Sequence, residues 1–458
     1  MRTLAAALAV TALGCGRIAF DPLGEDGGAL APWPTLDGEW TWMSGSTVGD
    51  TGPVYGTQNV AAATNAPSSR DNGAFWRSGS TLWMFGGIGM NATQQGLLAD
   101  TWSYDIPTGE WTWRGGSTAV NDAGSYGTRG VPAATNLPSA RNDVAMWKAS
   151  DTELWMFGGN LGSGVPVLAD DVWRLDATTG VWTWMSGTQS TNAIATYGTR
   201  GVEAPTNDPG ARSAVLTWPT NDGFYLYGGG GFPRNASIEY MSDLWKYTAS
   251  TGAWTWIAGP SIGGNASNRG TLGVASPTTL PTYYGACAFG DARDGALWML
   301  DTQGDVYRFD LATTNWTWIA GPAVDDTRAT PGPPRVLSDS ATPGVSVSVN
   351  CWSDARNNLW LQGGFNGVGT DTGTNALWLF ETDVQRWALV TGDTGTQQPG
   401  SYGTRGVADP ANTPSARQNG MDWIGPDGEL WLFGGDFATD ANGTEGVRMA
   451  DLWRFAKP

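Results

Sequence analysis

An all-β architecture of six repeats, each contributing four short antiparallel strands, is predicted by three features of this 458-residue chain. An aromatic strand closed by two small residues recurs six times, as LWMFGG at Leu82 and again at Leu154, FYLYGG at Phe224, LWMLDT at Leu297, LWLQGG at Leu359 and LWLFGG at Leu430. The second residues of these copies, Trp83, Trp155, Tyr225, Trp298, Trp360 and Trp431, lie 72, 70, 73, 62 and 71 positions apart. Composition agrees, because Gly 66, Pro 26 and Trp 27 with only 15% charged residues describe turn-rich strands, not amphipathic helices. Four antiparallel strands repeated six times, with no helical segments between them, point to a radially repeated β architecture in which each sheet buries its apolar face against the next.

Within each repeat the apolar runs keep one order. An approach strand such as Arg70 to Trp76 or Arg417 to Trp423 comes first, and the aromatic strand with its glycine pair follows after a tight turn. The third run opens with aspartate at Asp100, Asp171, Asp243, Asp305 and Asp451, each two residues before an aromatic. The fourth is a Trp-Thr-Trp strand, in which a period of two places Trp111 and Trp113 on one face. The sixth repeat runs out after DLWRF with no Trp-bearing strand of its own. EWTWMS at residues 39 to 44 supplies it, so that the last sheet is composite and no open seam is left between the ends of the chain.

Gly-Gly after an aromatic strand, then a strand opened by Asp, then a Trp-bearing strand, resembles the kelch repeat of β-propellers across residues 39–455. The likeness is to bacterial kelch proteins with long repeats, related to the galactose oxidase central domain. It implies a six-bladed kelch-type β-propeller over residues 39–458, with four antiparallel strands per blade and the last blade closed by the N-terminal strand. Copper chemistry of the galactose oxidase kind is not carried over, because it needs histidine ligands and the chain has His 0.

The N-terminus reads as a targeting segment. Arg2 precedes an apolar run from Leu4 to Leu13, too short to span a bilayer, so residues 1–14 are assigned to a signal peptide. Leu13-Gly14-Cys15 resembles the lipobox of bacterial lipoproteins, which implies lipidation at Cys15 and a flexible tether over residues 15–38. An ordinary signal peptide with a stray cysteine is the alternative. The lipoprotein reading implies an extracytoplasmic location, at the outer membrane, on the cell surface or in the periplasm, with membrane contact through the anchor alone.

The formal net charge of -18 speaks against nucleic acid, whose binding needs clustered Lys and Arg. The absence of histidine disfavours zinc, copper and haem. No phosphate-loop pattern is present, since the run from Gly228 to Gly231 is a strand end, and no cofactor or metal is expected. A monomer is expected.

Candidate site residues lie in the long connections. Tyr55, Tyr126, Tyr197 and Tyr402 each follow the first Trp of the preceding strand by 15 residues, and Arg70, Arg141, Arg212 and Arg417 come 15 later. In the fourth copy Arg269 and Tyr284 occupy these two places. On one reading the arginines, with Tyr284, ring a channel mouth and bind an anion or acidic sugar. On the other, each Arg pairs with Asp100, Asp171, Asp243 or Asp451, and the fifth copy, with Ser346 and Ala376, has lost both partners together. The longest connections, of second to third strand and of fourth strand to next repeat, are expected to share the binding face. Tryptophans at repeated positions are expected in the core, with Trp33 as the clear exception. Cys287 and Cys351, three and five residues beyond the Tyr284 and Ser346 positions, are expected as buried free thiols. Adjacent inner strands ordinarily stand too far apart to be bridged, although a disulfide is conceivable.

These observations lead to the expectation of a protein- or glycan-binding platform. The alternative is a metal-free carbohydrate enzyme resembling the sialic acid mutarotases, whose kelch ring has an Arg-lined centre. No isolated carboxylate in the motifs stands out as a general base.

Overall fold

A computed structural model describes residues 36–457 except 163–165, 235–236, 283–284, 291–294, 323, 326, 346 and 366–372. The signal peptide, Cys15, Trp33, most of the tether, Tyr284 and Ser346 lie outside the described residues.

Among the described residues every element is a strand. The first sheet orders Ala74–Ser78, Thr81–Phe85, Ala99–Asp105 and Glu110–Ser117; the second orders Ala145–Ser150, Glu153–Phe157, Val172–Asp176 and Val181–Ser186. The third contains Leu216–Thr220, Gly223–Tyr227, Leu244–Thr248 and Ala253–Ala258, and the fourth Gly285–Phe289, Ala296–Asp301, Val306–Asp310 and Asn315–Ala320. The fifth contains Asn350–Ser353, Leu359–Gln362, Leu377–Glu381 and Arg386–Thr391. The sixth takes Met421–Ile424, Leu430–Phe433 and Leu452–Ala456 from the end of the chain and Glu39–Ser44 from its start. All pairings in these sheets are antiparallel, and the architecture is compatible with a β-propeller.

The composite sheet obeys the same local rules as the others. Trp42 sits opposite Trp453 as Trp113 sits opposite Trp102 and Trp184 opposite Trp173. A β-bulge follows at the same place in each of these pairings. The bulge explains the glycine that ends the Trp-bearing strand. Gly45 has φ +87°, and a Cβ there would collide with the Ala450 carbonyl oxygen of the neighbouring strand. The indole closes the bulge, with Trp42 Nε1 donating to the Ser44 carbonyl at 2.8 Å and Trp184 Nε1 to the Ser186 carbonyl at 2.7 Å.

Neighbouring sheets share their cores. The first strands touch in cyclic order, sheet one to two and on through six back to one. Side chains from the first, second and sixth sheets, Trp102, Trp173 and Trp431 among them, form one apolar cluster. Tryptophan also hydrogen-bonds between sheets: Trp76 Nε1 donates to the Trp155 carbonyl at 3.0 Å, Trp218 to Trp298 at 2.9 Å, Trp352 to Trp431 at 3.1 Å and Trp423 to Trp83 at 3.2 Å. Trp423 to Trp83 joins the sixth sheet to the first.

The strand heads are linked by their backbones. Asn72, Asp143, Ala214, Ser348 and Asn419 each stand two residues beyond the Arg70 position of their repeat, and all five have φ between 54° and 58°. Asp143 N donates to Asn72 O at 3.2 Å, Ala214 N to Asp143 O at 3.1 Å, Asn72 N to Asn419 O at 3.0 Å and Asn419 N to Ser348 O at 3.0 Å. Five of the six strand heads therefore form one hydrogen-bonded arc.

Trp40, 1% exposed and packed on Trp453 and Phe455, carries the packing of the N-terminal strand. Trp40→Ala is expected to lower stability by about 3–5 kcal/mol. A chain beginning at residue 46 is expected to lose cooperative thermal unfolding, followed by circular dichroism, and to regain it when a peptide of residues 37–46 is added. An unchanged melting curve for the truncated chain contradicts this role for the strand.

Candidate functional site

The four repeated arginines are built inward. Arg70 Nη1 and Nη2 form a bidentate pair with Asp100 at 2.6 and 2.8 Å, Nη1 also donates to Gly86 O at 3.2 Å, and Ser68 accepts from Nε and Nη2. All five guanidinium N–H groups are used. Arg141 repeats the set with Asp171, Gly158 and Ser139, and Arg417 with Asp451, Gly434 and Ser415. In Arg212, paired with Asp243, Gly210 stands where the others have serine, and Nε is left without a partner. Both members of each pair are 0% exposed.

The carboxylates gather two further donors. Asp171 Oδ2 accepts from Tyr126 Oη at 2.6 Å and Trp173 Nε1 at 2.7 Å. Tyr55, Tyr197 and Tyr402 do the same at Asp100, Asp243 and Asp451, beside Trp102, Trp245 and Trp453. Burial, and then the adjacent Asp171 carboxylate, push the Tyr126 hydroxyl well up, so it stays protonated and donating. Burial works against the Arg141 charge, but Asp171 outweighs it and holds the group above its ordinary value.

The same residues join sheets through their backbone. Arg141 N donates to Leu98 O at 3.2 Å, and Arg141 O accepts from Gly87 N at 2.8 Å, both in the preceding sheet. Gly159 with Arg212, Gly364 with Arg417 and Gly435 with Arg70 repeat the second bond. The glycine pair is needed here, because a Cβ on Gly86 would press on Arg141 O at 2.8 Å. Each arginine is thus a joint, its side chain in its own sheet and its main chain on the sheet before.

The long connections into each first strand also act structurally. They fold back along the outer strand of the sheet they enter. Asn136 Nδ2 donates to Trp182 O at 3.0 Å and to Val131 O at 2.9 Å, and Gly130 N donates to Trp184 O at 2.8 Å. Asn65, Asn207 and Asn412 make the same pair of bonds, the last onto Trp40 O of the N-terminal strand. Each strap covers a sheet edge that would otherwise be open to pairing.

The fourth and fifth sheets depart from this scheme. In the fourth, Arg269 replaces the tyrosine, and its Nε bonds Asp305 Oδ2 at 2.6 Å. Asp301 stands where other repeats have the first glycine of the pair; its Oδ1 accepts from Gln303 N at 2.9 Å and Asp305 N at 3.0 Å, while Oδ2 has no partner. Burial, and next the Asp305 carboxylate, push Asp301 up to about 8. Burial also raises Asp305, to about 6, against the pull of Arg269.

Cys287 and Cys351 are joined in a disulfide, with Cα atoms 6.1 Å apart, which corrects the expectation of free thiols. The spacing rule fails because first strands converge closely, as the 3.0 Å approach of Met146 Sδ to Phe75 N also shows. A bulge shifts Cys287 opposite Leu300, while Cys351 lies opposite Leu361.

In the fifth sheet Ala376 stands where the other repeats have the joint aspartate, two residues before Trp378. A small open pocket of about 10 Å³, room for one water molecule, lies beside Trp378 and is lined by Ala329, Val349, Leu361, Phe365 and Thr374. Phe365 meets Phe437 of the sixth sheet with ring centroids 6.2 Å apart. Phe437 is 44% exposed and has φ +48°, a left-handed conformation that a bulky side chain adopts only under constraint. The second-to-third connections that carry these two rings also vary between repeats. They form ribbons at Ile88–Met90 with Gln95–Leu97, Gly230–Gly231 with Glu239–Tyr240, and Ala438–Thr439 with Glu445–Val447, but a tight turn at Asp301 to Asp305. Sequence reasoning missed this pocket, and the only signal was the paired loss at Ser346 and Ala376.

No family model matches the chain, and no curated protein matches it.

Arg141→Met leaves Asp171 buried without its partner and is expected to cost about 3–5 kcal/mol, with the Arg141→Met/Asp171→Leu double variant recovering most of the loss in chemical denaturation. A group whose folded pKa is raised contributes stability that is present below its unfolded value and lost as pH rises through the folded value. Asp301 therefore favours folding below the usual carboxylate range and loses that contribution as pH climbs through about 8. Asp301→Asn is expected to raise the melting temperature at pH 8.5 by several degrees, with little change at pH 4, as calorimetry at the two pH values will read.

Proposed function

We propose that the chain is a six-bladed kelch-type propeller, anchored outside the cytoplasm through Cys15, which serves as a binding platform for a protein or glycan partner. Six four-stranded sheets, the N-terminal strand in the sixth and the cyclic contact of first strands support the ring. The ligand seat is the aromatic patch where Phe365 of the fifth repeat meets Phe437 of the sixth. The observation that carries this reading is Phe437, an exposed aromatic held in a left-handed backbone beside Phe365. Exposed aromatic rings suit the apolar face of a sugar ring or the anchor side chain of a protein.

The mutarotase-like enzyme is the weaker alternative. It calls for cationic side chains facing a ligand, whereas Arg70, Arg141, Arg212 and Arg417 are wholly buried against carboxylates.

The mature chain without residues 1–36, screened on a glycan array and by pull-down, is expected to retain a partner. Phe437→Ala is expected to weaken that retention about tenfold or more at an unchanged melting temperature, in line with the loss of one anchoring aromatic. Retention equal to that of the unsubstituted protein removes the patch from the interface.

A further inference from the structure

The junction between the sixth sheet and the first differs from the others in charge. Arg448 Nε bonds the Asp71 carboxylate, and the Arg448 main chain is tied to Asp50 in both directions, with Arg448 N donating to Asp50 Oδ1 at 3.1 Å and Asp50 N to Arg448 O at 2.8 Å. Asp436, which follows the glycine pair of the sixth repeat, accepts from Asn419 Nδ2 at 3.1 Å, and Asp71 accepts from Asn72 Nδ2 at 3.2 Å. Both carboxylates are buried, Asp71 at 1% and Asp436 at 7% exposure. At the junction of the first and second sheets the same four places hold Ile88, Leu97, Asn121 and Asn142, and Asn121 N donates to Leu97 O at 2.7 Å as Asp50 N does to Arg448 O. The junctions into the third, fourth and sixth sheets likewise have no Asp, Glu, Lys or Arg at these places.

That charge sits where the chain closes on itself. Glu39–Ser44 enters the sixth sheet by pairing with Leu452–Ala456, and the segment after it is held to the same repeat by Ala441 N to Thr47 O at 3.0 Å, Gly49 N to Asp440 Oδ2 at 3.3 Å and the Asp50–Arg448 pair. Two buried carboxylates here share the influence of one guanidinium. Arg70 and Arg417, on the adjoining strand heads, are taken up by Asp100 and Asp451, and Asp50 is exposed. With Asp71 and Asp436 both ionised the buried cluster carries an excess negative charge, which desolvation makes costly. Burial, and next the Asp71 carboxylate, hold Asp436 well above the ordinary carboxylate range against the pull of Arg448. Burial also raises Asp71, with Arg448 opposing it.

We propose that this cluster is a proton-operated latch on the N-terminal segment: with one proton held between Asp71 and Asp436 it is neutral and closed, and loss of that proton leaves an uncompensated carboxylate that loosens the grip of the sixth repeat on residues 45–51. Asp71 keeps the guanidinium, so Asp436 is the group that gives the proton up. A carboxyl whose folded pKa is raised contributes stability that is present below its unfolded value and lost as pH rises through the folded value. The latch therefore holds in acid and slackens as pH climbs above the ordinary carboxylate range. It rests neither on the aromatic patch nor on any partner.

Hydrogen exchange on the intact chain, read by mass spectrometry in peptides covering residues 39–55 and corrected for the intrinsic pH dependence of exchange, tests the latch. Protection in the parent is expected to fall about tenfold or more between pH 5 and pH 9, the factor that corresponds to a pKa raised by one unit or more. Asp436→Asn, an uncharged stand-in for the protonated group, is expected to match the parent at pH 5 and to be protected about tenfold better at pH 9. The triple variant Asp71→Asn/Asp436→Asn/Arg448→Leu, built from residues that other repeats use at these places, is expected to show the same flat pH profile and serves if the single variant does not fold. Protection in the parent that does not change across this range overturns the proposal. So does a pH dependence in the variants equal to the parent's, which assigns the proton to another group such as Asp301.

Discussion

A buried guanidinium with every N–H engaged is the constraint on which this structure turns. Removing an Arg–Asp pair from water is expensive, and the expense is recovered only when the remaining protons and lone pairs are all met. Arg70, Arg141 and Arg417 meet it with a bidentate carboxylate, a glycine carbonyl and a serine two residues earlier. Tyrosine and tryptophan complete the carboxylate. Because the network is complete, a sheet can be placed against its neighbour in one way only, and that orientation propagates from repeat to repeat. The words of the repeat follow from it: serine before arginine supplies an acceptor, the glycine pair admits the arginine carbonyl, and Asp-x-Trp delivers carboxylate and indole together.

Much of the fold was legible for this reason. Contacts that recur at fixed spacing leave recurring letters, so the strand order, the composite sixth sheet and the Arg and Asp positions could all be read from residues such as Trp40, Asp100 and Arg70. The straps were less legible. Asn136 reaches Trp182 across 46 residues, and nothing in a loop rich in Gly, Pro and Asn says whether it projects into solvent or lies along an edge. The disulfide was misjudged because adjacent first strands were taken to stand too far apart, whereas here the Cα atoms of Cys287 and Cys351 approach to 6.1 Å. The aromatic patch left no recurring letters. Phe437 shows no periodicity, and its left-handed backbone cannot be inferred from a phenylalanine in the sequence.

Division of labour among the loops follows from edge protection. The Trp-bearing fourth strand of each sheet presents an open edge, and the long connections lie along it. The second-to-third connection is free of that task, and its form differs between repeats: ribbons in three sheets, a tight turn in the fourth. Sequence identity between repeats marks cementing positions, and divergence marks the places where one repeat can do what the others do not.

The fourth and fifth sheets show why divergence is confined. The fifth repeat, with Ala376 in place of the aspartate, lacks the Arg–Asp–Tyr–Trp joint that orients the other sheets. The Cys287–Cys351 bond ties the fourth and fifth sheets together at this weakened place, and closing a loop of sequence separation 64 contributes about 4 kcal/mol in the chain-entropy account. That is comparable with the loss of one buried ion pair. A covalent link can therefore stand in for the joint, which lets the fourth and fifth sheets keep their mutual order although the buried ion pair is missing from the fifth.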